Sequence, residues 1–87
     1  MIIDKVMFIM YMAVIKNKKI IVISEKKSIF IGHLIGFDEY MNLVLYDGKF
    51  KDTNLKKYIS FDYIIITDEI IKIHVMSKNS SKKIMYF

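Results

Sequence analysis

Hydrophobic and polar positions along this chain fall into two regimes. Residues 2–15 lack glycine and are rich in Met, Ile and Ala, which predicts a helix of about three or four turns. Ile3, Met7, Met10, Tyr11 and Val14 would line its apolar stripe. From there on the pattern is one of short runs rich in β-branched and aromatic residues. KIIVIS at 19–24 predicts a first strand, IFIGHLIGF at 29–37 a second and LVLYDGKF at 43–50 a third. YISFDYIII at 58–66 predicts a fourth, with Ile59, Phe61, Tyr63 and Ile65 on one face against Ser60 and Asp62 on the other. Asp68 and Glu69 turn the chain into a fifth, IIKIHVM at 70–76.

Gly32 and Gly36 interrupt the apolar second strand four residues apart. Glycine weakens a flat strand, so the pair predicts a sharp bend or a close approach of another backbone. The fold class that follows is mainly β, an N-terminal helix and then a strongly bent five-stranded antiparallel sheet. It forms a single domain over 1–87, with the helix in 1–16, the sheet in 19–76 and a basic tail in 77–87. The last two strands are apolar and carry little to blunt their edges. Such edges invite pairing with another chain, and the isolated chain is expected to self-associate.

Composition sharpens this picture in three places. A hydrophobic fraction of 54% is high for 87 residues, because a small domain has little interior in which to place it. Partner subunits are the natural cover for the surplus. With no cysteine, disulfides and thiolate metal sites are excluded, and His33 and His74 are too far apart in sequence for a metal pair. No metal and no cofactor is expected. The net charge of +5 arises from lysine alone, since there is no arginine, and suits an anionic partner. The apolar run at 6–15 is too short to span a bilayer and lacks the flanks of a signal peptide, so no membrane partner is expected.

Chemistry concentrates in Asp38, Tyr40 and Asn42, which share a five-residue turn between two apolar strands. An aromatic ring offers a stacking face to any base, and an Asn amide offers a donor and an acceptor to a base edge. Uracil presents one acceptor and one donor that a single amide can read. Asp38 can brace the turn by accepting N–H bonds. Catalysis is not expected, because Asp68 and Glu69 are adjacent at a turn with no nucleophile or third acid beside them. Lys56 with Lys57, and Lys82 with Lys83, could meet phosphates or simply be solvated.

GHLIGFDEYMNLVL, residues 32–45, resembles the first Sm motif of the Sm and Sm-like proteins, with its glycine, apolar positions, aspartate and Met-Asn pair in order. The resemblance implies the Sm fold, an open small barrel, and roles for individual residues. Tyr40 would stack on a uracil, Asn42 would bond its edge, Asp38 would orient Asn42, and Met41 would face the core. It also implies a seven-membered hetero-oligomeric ring, with seams at strands 58–66 and 70–76, around a U-rich single-stranded small nuclear RNA. By the same resemblance the setting would be pre-mRNA splicing in the nucleus, with a cytoplasmic assembly phase. An Sm-like ring serving U6 RNA or messenger-RNA decay, and a purely structural ring subunit, stay open beside it. The second Sm motif departs from the pattern, for Ile66 and Thr67 stand where the family usually has a cation and glycine. Both are candidate RNA contacts, Ile66 through an apolar surface in place of the cation.

Overall fold

The computed structural model describes residues 5–76 and 83–87. One helix, α1 (Lys5–Ile15), precedes six strands: β1 (Lys19–Ser24), β2 (Ile29–Phe37), β3 (Leu43–Lys51), β4 (Ile59–Ile66), β5 (Ile70–Val75) and β6 (Lys83–Tyr86). They form one sheet in the order β4-β3-β2-β1-β5-β6, and every neighbouring pair is antiparallel.

The helix buries Met10 and Ala13, with Val6, Ile9 and Val14 packed beside them. This stripe follows the helical spacing one position away from the expected one. Tyr11 is exposed, and Ile3 lies outside the described residues. α1 ends in a Schellman motif. Asn17 takes a left-handed φ of 52°, its N–H donates to the Val14 carbonyl at 3.1 Å, and the Lys18 N–H donates to Ala13 at 2.8 Å. The same asparagine anchors the helix end to the sheet, accepting a hydrogen bond from the Tyr46 hydroxyl at 2.7 Å.

The core is filled from both halves of the sheet: Ile20 and Val22 of β1, Leu34 of β2, Leu43 and Leu45 of β3, Ile66 of β4 and Ile73 of β5. Each such fully buried aliphatic side chain contributes about 1.5–3 kcal/mol. The sheet encloses this core because β2 is bent. Its pairing with β3 shifts register between Ile31 and His33, and again between Leu34 and Gly36. At the first shift the strands nearly touch. A Cβ on Gly32 would lie 3.1 Å from the Tyr46 carbonyl oxygen, and one on Gly48 would lie 1.8 Å from that of Ile31. Gly36 has open space around it, so of the two glycines in β2 only Gly32 marks a close approach.

The bend also exchanges the inner and outer faces of its strands. Leu43 and Leu45 are buried at the start of β3, while Phe50, of opposite parity, packs on the core near its end. Asp47, with a φ of 51°, marks the crossover. β4 follows the same reversal. Phe61 packs inward at one end and Ile64 and Ile66 at the other, leaving Tyr63 71% and Ile65 68% exposed. The alternation expected for this strand therefore holds at Phe61 and fails at Ile59, Tyr63 and Ile65: Ile59 is exposed at the strand's start, and beyond the crossover a sharply bent strand presents both parities to one core. His33, Tyr46 and Tyr63 form a row of rings along the crossover, with centroids 5.2 and 6.3 Å apart.

The expected tail contains a strand. β6 pairs with β5 and buries Met85, so the sheet has six strands where five were expected. Its polar start, residues 77–82, lies outside the described residues.

Gly48→Ala is expected to destabilise the fold by about 3 kcal/mol or more, because the new methyl meets backbone that is itself paired. Gly36→Ala has space and should cost far less. Urea denaturation of the two variants beside the unmodified chain checks the difference.

Candidate nucleic-acid interface

The turn between β2 and β3 is organised by one carboxylate. Asp38 Oδ1 accepts the backbone N–H of Tyr40 and of Asn42, each at 2.9 Å, and its Oδ2 accepts the Asn42 side-chain amide at 2.8 Å. Backbone bonds from the Asp38 N–H to the Asn42 carbonyl and from the Met41 N–H to the Asp38 carbonyl close the turn. Met41 adopts a left-handed φ of 63° and lays its side chain against the core. That twist leaves Tyr40 facing outward, 78% exposed. The donor set fixes the Asn42 amide orientation: its NH₂ group points to Asp38. These bonds favour the ionised carboxylate, so the Asp38 pKa lies below its ordinary value of 3.8, with the Asn42 side-chain bond the largest cause.

Beside Tyr40 and Asn42 runs an open groove of about 620 Å³, whose far wall is the turn from β4 to β5. The register accounts for this, since Leu43 pairs with Ile66 and so sets residue 42 against residue 67. Thr67, Asp68 and Glu69 line that wall. Glu25 completes the rim from the end of β1, where its N–H donates to the Glu69 carbonyl at 2.8 Å. A side-chain hydrogen bond with Glu69, and then the charge of Glu69, push the Glu25 pKa up from its ordinary 4.5.

Four of the five expected contact residues thus meet around one groove: Asp38 as the brace, with Tyr40, Asn42 and Thr67 on the lining. Ile66 does not join them. It is 2% exposed, in the core opposite Leu43, so it offers no surface to a ligand. The strand parity that places Thr67 outside turns Ile66 inside. Four lining residues had not been singled out: Ile70 and Ile71 at the start of β5, Glu25 and Phe87. Glu25 could have been found from the pairing of the first and fifth strands, but Phe87 reaches the groove only because β6 pairs with β5. Lys56 and Lys57 are exposed in the β3–β4 connection and do not line the groove. Lys82 lies outside the described residues. Among the described residues no three His, Asp or Glu side chains converge as a metal site would require, and no helix is long and apolar enough to cross a membrane.

Comparisons with known proteins converge on one family. A family model described as the LSM domain matches residues 10–75. Among solved structures, an Sm protein of Pyrococcus abyssii in complex with a uridine heptamer superposes with a TM-score of 0.71 at 24% identity. The match covers 84% of this chain and all of that one. No curated protein sequence matches.

Because the Asp38 pKa is lowered on folding, the order of the turn is complete above the ordinary carboxylate value of 3.8 and is lost as pH falls through the lowered one. The Asn42 side-chain amide resonances should therefore hold steady down to that range and then collapse toward solvent positions. Asp38→Ala should show the collapsed positions at every pH, as followed in ¹H–¹⁵N spectra.

Proposed function

Since the chain belongs to the LSM-domain family of Sm and Sm-like proteins, we propose that it is a non-enzymatic subunit of an Sm-type ring that holds a U-rich single strand of RNA. The observation that carries this is the turn itself. An outward aromatic ring stands beside an amide already held in one orientation, so a base can stack on Tyr40 and be read by Asn42 with little ordering left to do. The related Sm protein of Pyrococcus abyssii was solved with a uridine heptamer, which supports uridine as the base.

The setting we propose is the heteroheptameric core of spliceosomal small nuclear ribonucleoproteins, in pre-mRNA splicing, with a nuclear location after assembly in the cytoplasm. IGFDEYMNLVL, residues 35–45, most resembles Sm protein E of that ring. A mixed ring also suits the electrostatics. Ile66 and Thr67 stand where the family usually has a cation and glycine, and Asp68, Glu69 and Glu25 crowd the rim. Seven copies of such a groove would oppose a phosphate backbone; one copy among cationic neighbours would not. The acidic rim favours a second reading, a ring subunit whose base contact is weakened.

Tyr40→Ala and Asn42→Ala are each expected to weaken binding of oligouridine by roughly 5- to 100-fold, the range of one lost base contact, in fluorescence anisotropy. Unchanged affinity would favour the structural reading. Protonating Glu25 removes negative charge from the rim, so affinity should rise as pH falls through its raised pKa. Glu25→Gln should flatten that rise. Purification of the native complex should recover several spliceosomal RNAs with Sm partners; U6 RNA alone, with Sm-like partners, would move the subunit to the other ring.

A further inference from the structure

The two outer edges of the sheet are unlike each other. At one end β4 presents an unpaired edge of eight residues, with Ile59, Tyr63 and Ile65 exposed and neither proline nor lysine within it. Natural sheets rarely leave such an edge open, because it is a template for pairing. At the other end β5, six residues long, is covered by a strand of only four. β6 pairs Lys83–Tyr86 with residues 72–75, and the Phe87 N–H adds one bond to the Ile71 carbonyl at 2.8 Å. Its hold is slight. Met85, 7% exposed, is buried, while Ile84, Tyr86 and Phe87 remain substantially exposed. The stretch of β5 it covers is buried on its other side by β1, so the edge beneath is rigid and ready to pair.

We infer that β6 is an exchangeable cap: in the free chain it occupies the β5 edge, and when the isolated chain associates it yields that edge to β4 of a second copy, the same edge a neighbouring subunit would take in a mixed ring. The inference rests on reading the chain as a ring subunit. A strand twice as long, with exposed Ile and Tyr side chains to cover, gains more from the β5 edge than β6 does. Because β6 and β4 compete for one set of N–H and C=O groups, docking of β6 reduces the apparent association constant by the fraction of chains in which it has let go. Release also withdraws Phe87, 49% exposed, from the groove that Tyr40 and Asn42 line. Assembly and access to the base site are thereby linked.

The chain has no cysteine, so one engineered disulfide can test the cap reversibly. Lys72 and Tyr86 are cross-strand partners, and the Lys72 ammonium lies 5.5 Å from the centre of the Tyr86 ring, so both side chains leave the same face. Directly opposed α-carbons of an antiparallel pair lie about 4.5–5.5 Å apart, which admits a disulfide. The double variant Lys72→Cys, Tyr86→Cys is compared oxidised and reduced, by light scattering and native mass spectrometry over a range of concentrations. The oxidised form should stay monomeric where the reduced form associates. Met85→Asp, which charges the one buried anchor of β6, should associate at a concentration at least about tenfold lower than the unmodified chain. Equal association of oxidised and reduced forms would overturn the cap, as would no shift for Met85→Asp. If no form associates, the exchange with a second copy is wrong, and oligouridine binding by Tyr40 and Asn42 still decides the RNA reading separately.

Discussion

Where β2 crosses β3 there is no room for a side chain, and the architecture is organised around that contact. The Gly48 backbone lies so close to the Ile31 carbonyl and to Gly32 that any β-carbon would overlap them, while the ring of Phe61 closes the space from above. Such proximity lets two strands shift register and turn through a steep angle without parting. Everything beyond the crossing depends on the turn. It brings Leu43 and Leu45 over the same core that Phe50 reaches from the other end, and it makes β4 reverse its inner face between Phe61 and Ile64. It also carries the start of β3 to the end of β4, so that the Asp38 turn and Thr67 face each other across one groove.

Given that placement, the site divides into a part that is built and a part that is unfavourable. The built part is the Asp38 carboxylate, which spends both oxygens on three N–H groups and so holds Tyr40 and Asn42 in place before any ligand arrives. Order already present in the free protein is order that binding need not supply. The unfavourable part is the rim, where a side-chain hydrogen bond with Glu69 and the charge of Glu69 raise the Glu25 pKa. Carboxylates there oppose a phosphate and leave the face of Tyr40 open. On the proposed function, the groove would take a base whose backbone is carried by other subunits.

Much of this was legible in the residues. The helix, five strands and the bent second strand follow from apolar runs and from Gly32, and Asp38, Tyr40 and Asn42 announce a turn with an aromatic and an amide on it. The strand errors come from period-2 reasoning, which assumes that a strand keeps one face inward. Tyr63 and Ile65 were assigned inward and stand outside. Ile66 was assigned to the ligand from its place in the second Sm motif and sits in the core, facing Leu43. Gly48, placed inside the third strand with no special role, proved the tightest position of all. The tail was missed for another reason. Residues 83–86 are short and have a single buried anchor, and only the waiting edge of β5 makes them a strand.

The central claim is that this groove receives a base, with Tyr40 as its platform. Photocrosslinking of the native chain to an oligomer carrying 4-thiouridine, followed by peptide mapping, addresses it most directly. The account predicts that the principal adduct falls on the turn peptide, at Tyr40 or its immediate neighbours. Adducts confined to Lys56 and Lys57, or spread over the surface lysines with none on the turn, would contradict it.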